Sequence, residues 1–376
     1  MTLSRRRMLI VNFAGLGNGL CVLPLLKRLE EVDDTWLYFH TSNPVFAERR
    51  IMRWFRLRNF EGTVPLAWRR FDPADWPAIE SFLRSKTIDL IVNLRNQGPL
   101  GDIGYFRFKK ECSWPGLEFW ELDQATITKR VHHSLAVWDQ VGLFASKGID
   151  LRLFNRKWLC DYVRSSGANQ VRRFEVGLFT GASQPIKRWP VEQWVQLGAL
   201  ILGRTNRNLV IYAGADRSEI ADAQEIVRQL QHQFAVERSK LLAGQPLDLL
   251  AVHMSGLDLL VSNDTCAVHA AVALDIPVIG LYFATDSSIW GGSGDKFVSV
   301  QGQVGLNCLA FKVDAGNCAA FYGGCPGPCR GDVKSSLVYE YVEQALGIAR
   351  QSKTEKRFAH VFSAVEKGHL SLCQRP

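Results

Sequence analysis

Short apolar runs alternate with longer amphipathic segments along the first half of the chain. The runs "MLIVNF", "WLYFHTS" and "IDLIVNLR" are predicted strands, because each is short and mainly apolar. The segments "LCVLPLLKRLEEV" and "DWPAIESFLRSK" are predicted helices, the first from leucines at helical spacing and the second with Asp75 as a candidate N-cap. A strand followed by a helix, repeated in this way, indicates a parallel sheet.

The polar stretch "RSSGANQVRR" at residues 164–173 marks a predicted domain boundary, after which the same rhythm restarts. Strands are predicted at "FEVGLFT", "NLVIYAG", "LDLLVSND" and "IPVIGLY", with helical segments between them and the amphipathic "SSLVYEYVEQALGIARQ" near the end. We therefore expect an α/β fold of two doubly wound domains that face a cleft. Their predicted bounds are 1–166 and 167–335, followed by a helical segment, 336–376.

Length and charge add to this picture. A chain of 376 residues suits two domains better than one core. Residues 1–166 carry 25 Lys/Arg against 18 Asp/Glu, whereas the remainder carries 20 against 19. A basic half favours an acidic partner, such as a phosphorylated glycan, nucleic acid or an anionic membrane surface; a merely soluble basic surface is the alternative. No nucleic-acid-binding signature is visible, so no nucleic acid partner is expected.

The stretch "GLGNGLCVLP", residues 15–24, admits two interpretations. The preceding arginines, the apolar run and the ending at Cys21 are features of an export signal with a lipid-attachment cysteine. Two asparagines and three glycines interrupt that run, however, and the next helix continues the strand-turn-helix pattern. We therefore expect a glycine loop, in which Gly17 lets backbone N–H groups approach a ligand at a helix start, with a plain tight turn as the alternative.

The segment "GASQPIKRWPVEQW", residues 181–194, opens the predicted second domain. After the strand ends, Lys187 and Arg188 precede a helix whose first turn suits Pro190. Two cations beside a helix start predict a phosphate site, because their charge acts together with the free backbone N–H groups. Two solvated cations at a helix start are the alternative.

The segment "LLVSNDTCAVHAAVALDIPVIGLY", residues 259–282, runs from an apolar strand through Asp264 and Thr265 into a helix of small residues that carries His269. A Thr hydroxyl and free N–H groups at a helix start that follows a parallel strand fit a diphosphate. The alternatives are an N-cap role for Asp264 or Thr265 and a packed core position for His269.

Together these segments resemble one family. "DTCAVHAAVALDIPVIGLY" followed by "WGG" is similar to the D-T-G-x-x-H-x-A-x-A-x-x-x-P motif of the bacterial ADP-heptose glycosyltransferases, the lipopolysaccharide heptosyltransferase family. "GASQPIKRWPVEQW" resembles that family's G-x-x-x-x-x-K-R-W-P segment. "GLGNGLCVLPLLKRL" resembles its first loop and helix, G-D-x-x-x-x-x-P-x-L-x-x-L. The region between about residues 100 and 165 shows little resemblance.

The resemblance implies two Rossmann-like domains in the GT-B arrangement, with the acceptor on residues 1–166 and the nucleotide sugar mainly on residues 167–335. It implies an inverting transfer that requires no catalytic metal or other cofactor, with Lys187 neutralising the leaving diphosphate. The implied donor-binding residues are Gly17, Ser183, Lys187, Arg188, Gly214, Glu219, Asp264, Thr265, the backbone N–H of Cys266, and His269.

Two positions depart from the family pattern. Cys266 replaces the motif's glycine, which is costly if that backbone needs a positive φ or a close approach of phosphate. Asn18 stands where the family has an aspartate proposed as the general base, and a neutral amide can orient a substrate but cannot take its proton. We expect Asp102 to be the base, since it follows the end of a predicted strand; a turn-forming aspartate is the alternative. Glu111 and Glu118 are the weaker candidates.

Four cysteines form a C-x9-C-x6-C-x3-C cluster in "NCLAFKVDAGNCAAFYGGCPGPCR": Cys308, Cys318, Cys325 and Cys329. Four thiolates with Gly and Pro turns between them can hold iron or zinc in a tetrahedral site, and we expect a structural metal there. The resemblance points the same way, because some protein-modifying heptosyltransferases bind iron through an insertion here. Four reduced thiols in a surface loop are the alternative.

We expect a glycosyltransferase that transfers a heptose from ADP-heptose to a hydroxyl of the lipopolysaccharide core. One alternative is transfer to a protein, such as an autotransporter adhesin, or to a small natural product; the cysteine cluster favours the protein. Another is a nucleotide-sugar-binding protein that has lost catalysis, which Asn18 favours. No apolar run approaches the ~20 residues of a membrane span, so we expect a cytoplasmic protein with peripheral contact to the inner face of the membrane.

Overall fold

The computed structural model describes residues 7–11, 20, 36–40, 60–63, 71–93, 103–112, 114–121, 158–165, 174–292, 294–304, 308 and 327–347 of the chain. The predicted domain boundary at residues 164–173 falls largely outside these ranges. Its position, and the domain bounds that depend on it, stay predictions.

The first half forms a five-stranded parallel sheet in the order β3-β2-β1-β4-β5. The strands are β1 (Arg7–Val11), β2 (Trp36–His40), β3 (Phe60–Thr63), β4 (Leu90–Asn93) and β5 (Glu118–Glu121). Three of these strands were predicted from their apolar runs. The other two, β3 and β5, lie at the edges of the sheet and have mixed sequences, "FEGT" and "EFWE", that do not show an apolar run.

Among the described residues of this half, the helices are α1 (Trp76–Ser85), α2 (Ile103–Glu111) and α3 (Trp158–Ser165). Helix α1 was predicted, and Ile79 and Leu83 are its buried face. Asp75 occupies the N-cap position as expected, but its side chain makes no capping hydrogen bond. Asp72 instead caps the short 3₁₀ turn before the helix by accepting from the backbone N–H of Ala74 at 3.0 Å.

The second half forms a six-stranded parallel sheet in the order β11-β10-β9-β6-β7-β8. Its strands are β6 (Glu175–Phe179), β7 (Asn208–Ala213), β8 (Ser239–Ala243), β9 (Leu259–Asn263), β10 (Val278–Tyr282) and β11 (Phe297–Gln301). Counted from the first strand of this half, the order is 3-2-1-4-5-6, the arrangement of a dinucleotide-binding Rossmann sheet. The strand order reverses between β6 and β9, and ligands bind at such a switch point.

The helices described beside the second sheet are α4 (Val191–Arg204), α5 (Arg217–Gln233), α6 (Leu247–Met254), α7 (Cys266–Ala273), α8 (Ser287–Trp290) and α9 (Ser335–Ala345). The central strands β6, β9 and β10 are buried along their whole length, because helices cover both faces of the sheet. The predicted α/β class with two doubly wound parallel sheets is confirmed.

Helix α3, the last described helix before residue 166, packs against helices α6 and α7 of the second half. The thiol of Cys160 lies 3.7 Å from the carbonyl oxygen of Ala273 at the end of α7. Leu159 and Val163 belong to an apolar cluster that also contains buried side chains of both sheets. Helix α3 therefore joins the two halves through apolar contacts. Within the described ranges, no helix has the length and apolarity needed to cross a membrane.

Candidate functional site

The predicted donor-binding residues that the structure describes lie along one edge of the second sheet. Strands β10, β9, β6 and β7 are neighbours in that order and run parallel, so their carboxyl ends share an edge. Thr285, Asp264, Gly181 and Gly214 follow these four ends in turn. The edge includes the switch point between β6 and β9, which is where this fold places its ligand.

Lys187 and Asp264 form a salt bridge at this edge. The Lys187 Nζ donates to Asp264 Oδ2 at 2.6 Å, and the two side chains are only 19% and 8% exposed. The hydroxyl of Thr285 donates to the same carboxylate oxygen at 2.7 Å. A short bond between charged groups in a poorly solvated place is strong, so the ammonium is held in position at the edge of the sheet. The cation that the sequence predicted, Lys187, therefore lies at the carboxyl ends of the strands, and its charge is balanced by the Asp264 carboxylate.

Asn263 connects the segment that carries Lys187 to the ends of two strands. Its Oδ1 accepts from the backbone N–H of Trp189 at 3.1 Å, and its Nδ2 donates to the carbonyl of Thr180 at 2.8 Å. The Asn263 side chain is fully buried, and Asn263 is the residue directly before Asp264 in the chain. Trp189 adds a second anchor, because its indole N–H donates to the carbonyl of Val333 at 3.0 Å. The distance between Lys187 and Asp264 is therefore set by buried hydrogen bonds.

Thr265 is the N-cap of α7, as one of the alternatives foresaw. Its hydroxyl oxygen accepts from the backbone N–H of Ala267 at 3.2 Å and lies 3.2 Å from Ser262 Oγ. Ser262 uses its one proton on the carbonyl of Asn263 at 2.7 Å, so Thr265 is the donor of the pair. Phosphate contact by this hydroxyl stays a prediction, and it would require the hydroxyl to turn away from Ser262.

Cys266 is the first residue of α7, and it is not among the described residues with a positive φ. A side chain therefore costs no backbone strain at this position. Burial, and then the negative charge of Glu219, raise the pKa of the Cys266 thiol to about 11. A helix N-terminus usually lowers a thiol pKa, but here burial dominates. The residue that replaces the family glycine is therefore a neutral thiol whose pKa responds to the charge of Glu219.

We expect Cys266 to react slowly with alkylating agents. With a pKa of about 11, roughly three in ten thousand of its thiols are ionised at pH 7.5, and the thiolate is the reactive form. Iodoacetamide labelling followed by peptide mass spectrometry should modify Cys266 at least about tenfold more slowly than the exposed Cys308. Labelling of the two thiols at equal rates in the folded protein would contradict the raised pKa of the half-buried Cys266 thiol.

His269 lies one turn into α7, near the salt bridge. Burial lowers the pKa of its imidazole below 6.5; the nearby Lys187 lowers it further, and Asp264 opposes both. The ring is therefore neutral at pH 7. Contact of His269 with phosphate or sugar stays a prediction, and at that pH it would be a hydrogen bond from a neutral ring.

Glu219 and two glycines form the other end of the site. Glu219 is buried in the first turn of α5, and its Oε2 accepts from the backbone N–H of Gly214 at 2.8 Å. A Cβ on Gly181 would lie 2.1 Å from that oxygen, and one on Gly214 would lie 2.6 Å from it. The ends of β6 and β7 therefore carry glycines because the Glu219 carboxylate occupies the space of a side chain.

Replacing Gly181 by alanine should displace this carboxylate. The new methyl group overlaps Glu219 Oε2, so we expect a loss of about 1–3 kcal/mol in the free energy of unfolding and about tenfold weaker binding of ADP. Denaturant unfolding and calorimetry measure the two effects. The matched control is Gly203→Ala, where the added Cβ lies 3.9 Å from the Phe234 ring and the helix should gain stability. Equal behaviour of the two variants would contradict the described packing.

Arg188 points away from Lys187 and its carboxylate. Its Nε donates to the carbonyl of Ala182 at 2.8 Å, and its Nη1 donates to the hydroxyl of Ser218 at 2.7 Å. The guanidinium also lies 3.6–3.8 Å from the carboxylates of Asp216, Glu219 and Asp222. The two adjacent cations therefore serve different ends of the site, and phosphate binding by Arg188 stays a prediction.

The remaining predicted residues are placed as follows. Ser183 is exposed in the loop after β6. Gly17, Asn18 and Asp102 lie outside the described residues, so their roles stay predictions.

Glu118 is the first residue of β5 and pairs with the first residue of β4, at the amino end of the first sheet. Glu111 ends α2 and pairs with Arg107 at 4.0 Å. Glu118 therefore lies at the amino ends of the strands, whereas ligands bind at the carboxyl ends. This position disfavours Glu118 as a base.

The cysteine cluster is described only in part. Cys308 is exposed, whereas Cys329 is buried in a short 3₁₀ turn, Pro328–Gly331. Cys318 and Cys325 lie outside the described residues, and the described part of the chain contains no group of three or more His, Cys, Asp or Glu side chains placed to hold a metal ion. The iron or zinc site stays a prediction.

Sequence reasoning missed three residues of this site. Asn263 and Thr285 are polar residues at or just after the ends of buried strands, and Gly181 follows the end of β6. The signal was present, because polar and glycine residues at the carboxyl ends of parallel strands indicate a ligand site. Their specific partners were not readable, since each partner is distant in sequence.

The model of a protein family described as glycosyltransferase family 9 (heptosyltransferase) matches residues 108–312, which is more than half of the chain. A comparison with curated protein sequences gives no match. The match by family model covers the Lys187 and Asp264 segments and includes part of the cysteine-rich segment.

Several solved structures resemble the chain. The E. coli heptosyltransferase WaaC with ADP is 20% identical with a TM-score of 0.62, over 90% of this chain and 99% of that one. The E. coli ADP-heptose lps heptosyltransferase II is 15% identical with a TM-score of 0.57, over 90% and 98%. The dodecameric iron-containing heptosyltransferase TibC of enterotoxigenic E. coli, in complex with ADP-D-beta-D-heptose, is 12% identical with a TM-score of 0.51, over 92% and 77%. Identities this low show a shared fold.

Proposed function

Because the chain belongs to glycosyltransferase family 9, the heptosyltransferase family, we propose that it transfers a heptose from ADP-heptose to an acceptor hydroxyl with inversion. The observation that carries the proposal is the Lys187–Asp264 pair beside the start of α7. A fixed ammonium at a helix N-terminus, at the carboxyl ends of parallel strands, suits the diphosphate that leaves when the sugar is transferred.

The proposed donor lies along the described edge of the second sheet. Its diphosphate meets Lys187 and the backbone N–H of Cys266 at the start of α7, and its nucleoside lies toward Glu219. A buried carboxylate whose Oε2 accepts from the Gly214 N–H keeps further lone pairs that can accept from ribose hydroxyls. Lys187 supplies the positive charge for the leaving group in this mechanism. The donor named for relatives, ADP-heptose, supports this choice of nucleotide.

The proposed acceptor is a phosphorylated lipopolysaccharide core, held by the basic first half of the chain. The uneven charge of the two halves supports an acidic acceptor. Transfer to a protein is the second candidate, which the four-cysteine segment favours together with the likeness to the iron-containing TibC. The third candidate is a nucleotide-sugar-binding protein that has lost catalysis, which Asn18 favours because an amide cannot act as a base.

The donor is tested by thermal shift with a panel of nucleotides. Only a ligand that binds the folded state stabilises it, and at 100 times its Kd it adds about 2.7 kcal/mol to the free energy of unfolding. We expect ADP to raise the Tm by several degrees and UDP, GDP and CDP to have smaller effects. An equal response to all four, or a larger one to UDP, would contradict the proposed donor.

A further inference from the structure

Arg188 is surrounded by acceptors. All three of its guanidinium nitrogens face an oxygen: Nε the carbonyl of Ala182, Nη1 the hydroxyl of Ser218, and Nη2 the carboxylates of Asp216 and Glu219 at 3.6 Å. The side chain is only 11% exposed. A third carboxylate, of Asp222, lies 3.8 Å from Nη1. One positive charge therefore stands among three negative ones.

This arrangement does not suit a phosphate ligand. A phosphate that approached Arg188 would face three carboxylates and would have to displace hydrogen bonds that the guanidinium already makes. Lys187, by contrast, pairs with the carboxylate of Asp264 and lies beside the start of α7. The two neighbouring cations differ in what they can bind.

The contacts of Arg188 join the loop after β6 to the first turn of α5. Ala182 lies in that loop, whereas Asp216 caps α5, and Ser218 and Glu219 lie in its first turn. Glu219 Oε2 is fixed by the Gly214 N–H, and the guanidinium faces its other oxygen, Oε1. Each oxygen of the Glu219 carboxylate therefore has a neighbour: the Gly214 N–H at Oε2 and the Arg188 guanidinium, 3.6 Å away, at Oε1.

We propose that Arg188 is a positioning residue that acts through Glu219, orienting this carboxylate toward the nucleoside of the donor, and that it is not a ligand of the diphosphate. The inference rests on the proposed function, since it takes the donor to be an adenine nucleotide. It deepens that function by assigning Lys187 to the diphosphate and Arg188 to nucleoside recognition.

A planar guanidinium is necessary for this role. Ala182 O and Ser218 Oγ are reached by two different nitrogens of one rigid fork, which a lysine ammonium cannot reproduce. Arg188→Lys keeps the charge and removes the fork. Glu219→Gln keeps the size of the side chain and its acceptor toward Gly214, and it removes the negative charge that faces Arg188.

A double-mutant cycle on ADP binding tests the proposal. Calorimetry should show that Arg188→Lys and Glu219→Gln each weaken ADP binding about tenfold, and that the double variant is no more than about twofold weaker than Glu219→Gln alone. The second cycle, Lys187→Met with Glu219→Gln, should be multiplicative, because Lys187 acts on the diphosphate independently. Arg228→Lys is the matched control: it alters an exposed Arg–Glu pair on the same helix and should leave ADP binding unchanged.

The outcomes are distinct. If the effects of Arg188→Lys and Glu219→Gln multiply, Arg188 acts as a ligand or through a general loss of structure, and the proposal is overturned. A single variant of either residue that binds ADP as tightly as the wild type also overturns it. Failure of the wild type to bind ADP would instead contradict the proposed function, while multiplicative effects on a wild type that binds ADP would overturn the role of Arg188 alone.

Discussion

Lys187→Met should lower kcat/KM for the donor by about 100- to 1000-fold, the effect of removing one fixed donor from a developing oxyanion. Methionine keeps much of the length of lysine and removes its charge, so the leaving diphosphate loses the ammonium that would neutralise it. The variant also leaves Asp264 buried with only Thr285 as a described side-chain partner. Initial rates of ADP release measure the effect.

The control for this variant is Lys296→Met, which removes an exposed lysine that pairs with Asp275 at the amino end of β11. We expect wild-type rates from it. Thermal unfolding of both variants without ligand separates loss of fold from loss of chemistry. A folded Lys187→Met protein with kcat/KM within threefold of wild type would contradict the role of Lys187 in neutralising the diphosphate.

Asp102→Asn should lower kcat by about 100- to 10,000-fold, which is the contribution of a general base, while ADP binding stays at the wild-type level. Asp102 directly precedes α2, which begins at Ile103. The alternative role of Asp102 is therefore that of a turn or capping residue. Asparagine caps helices about as well as aspartate, so this substitution removes the base and retains the cap.

A second variant distinguishes the base from the cap. Asn18→Asp places a carboxylate where the resembling family has its aspartate, so in the Asp102→Asn background it should restore part of the lost turnover. The kcat of the double variant, measured from quenched reactions, tests the predicted recovery, with ADP affinity as the control. Near-wild-type turnover by Asp102→Asn alone would show that Asp102 is not the base.

The sequence predicted the central strands well and the edge strands poorly. The central strands β1, β4, β6, β9 and β10 are mainly apolar because both faces of the sheet are covered, and such short apolar runs are visible without any structure. β5 and β11 lie at sheet edges, where one side of the strand is free of a neighbour and polar residues are tolerated. Their sequences consequently carry little strand signal.

The site was predictable in its location and not in its internal contacts. Asp264 and Lys187 follow strand ends in recognisable motifs, yet they are 77 residues apart, and their 2.6 Å contact depends on the order of the strands. Asn263 and Gly181 matter through partners that folding brings close. The different directions of Lys187 and Arg188 were not readable either, because they depend on a 3₁₀ turn that ends at Lys187 and is followed by extended backbone at Arg188.

Cys266 shows what a substitution within a motif can leave unchanged. The sequence left open that the backbone needs a positive φ at this position, where a side chain would be costly. The structure places Cys266 in the first turn of a right-handed helix, without a positive φ. Its cost, if any, lies in how closely a phosphate can approach its backbone N–H. Because the Cys266 thiol is neutral, it adds no charge to the site. The charged side chains there are Lys187, Asp264, and Arg188 with its three neighbouring carboxylates.

Heptose transfer is tested most directly by incubating the protein with ADP-heptose and, in separate reactions, a lipopolysaccharide core lacking heptose, an autotransporter passenger protein and no acceptor. Released ADP and the mass of each acceptor are measured together. We expect ADP release that matches the heptose gained by the lipopolysaccharide core, and little release without an acceptor. Tight binding of ADP-heptose without ADP release or a change in acceptor mass in any reaction would contradict this expectation.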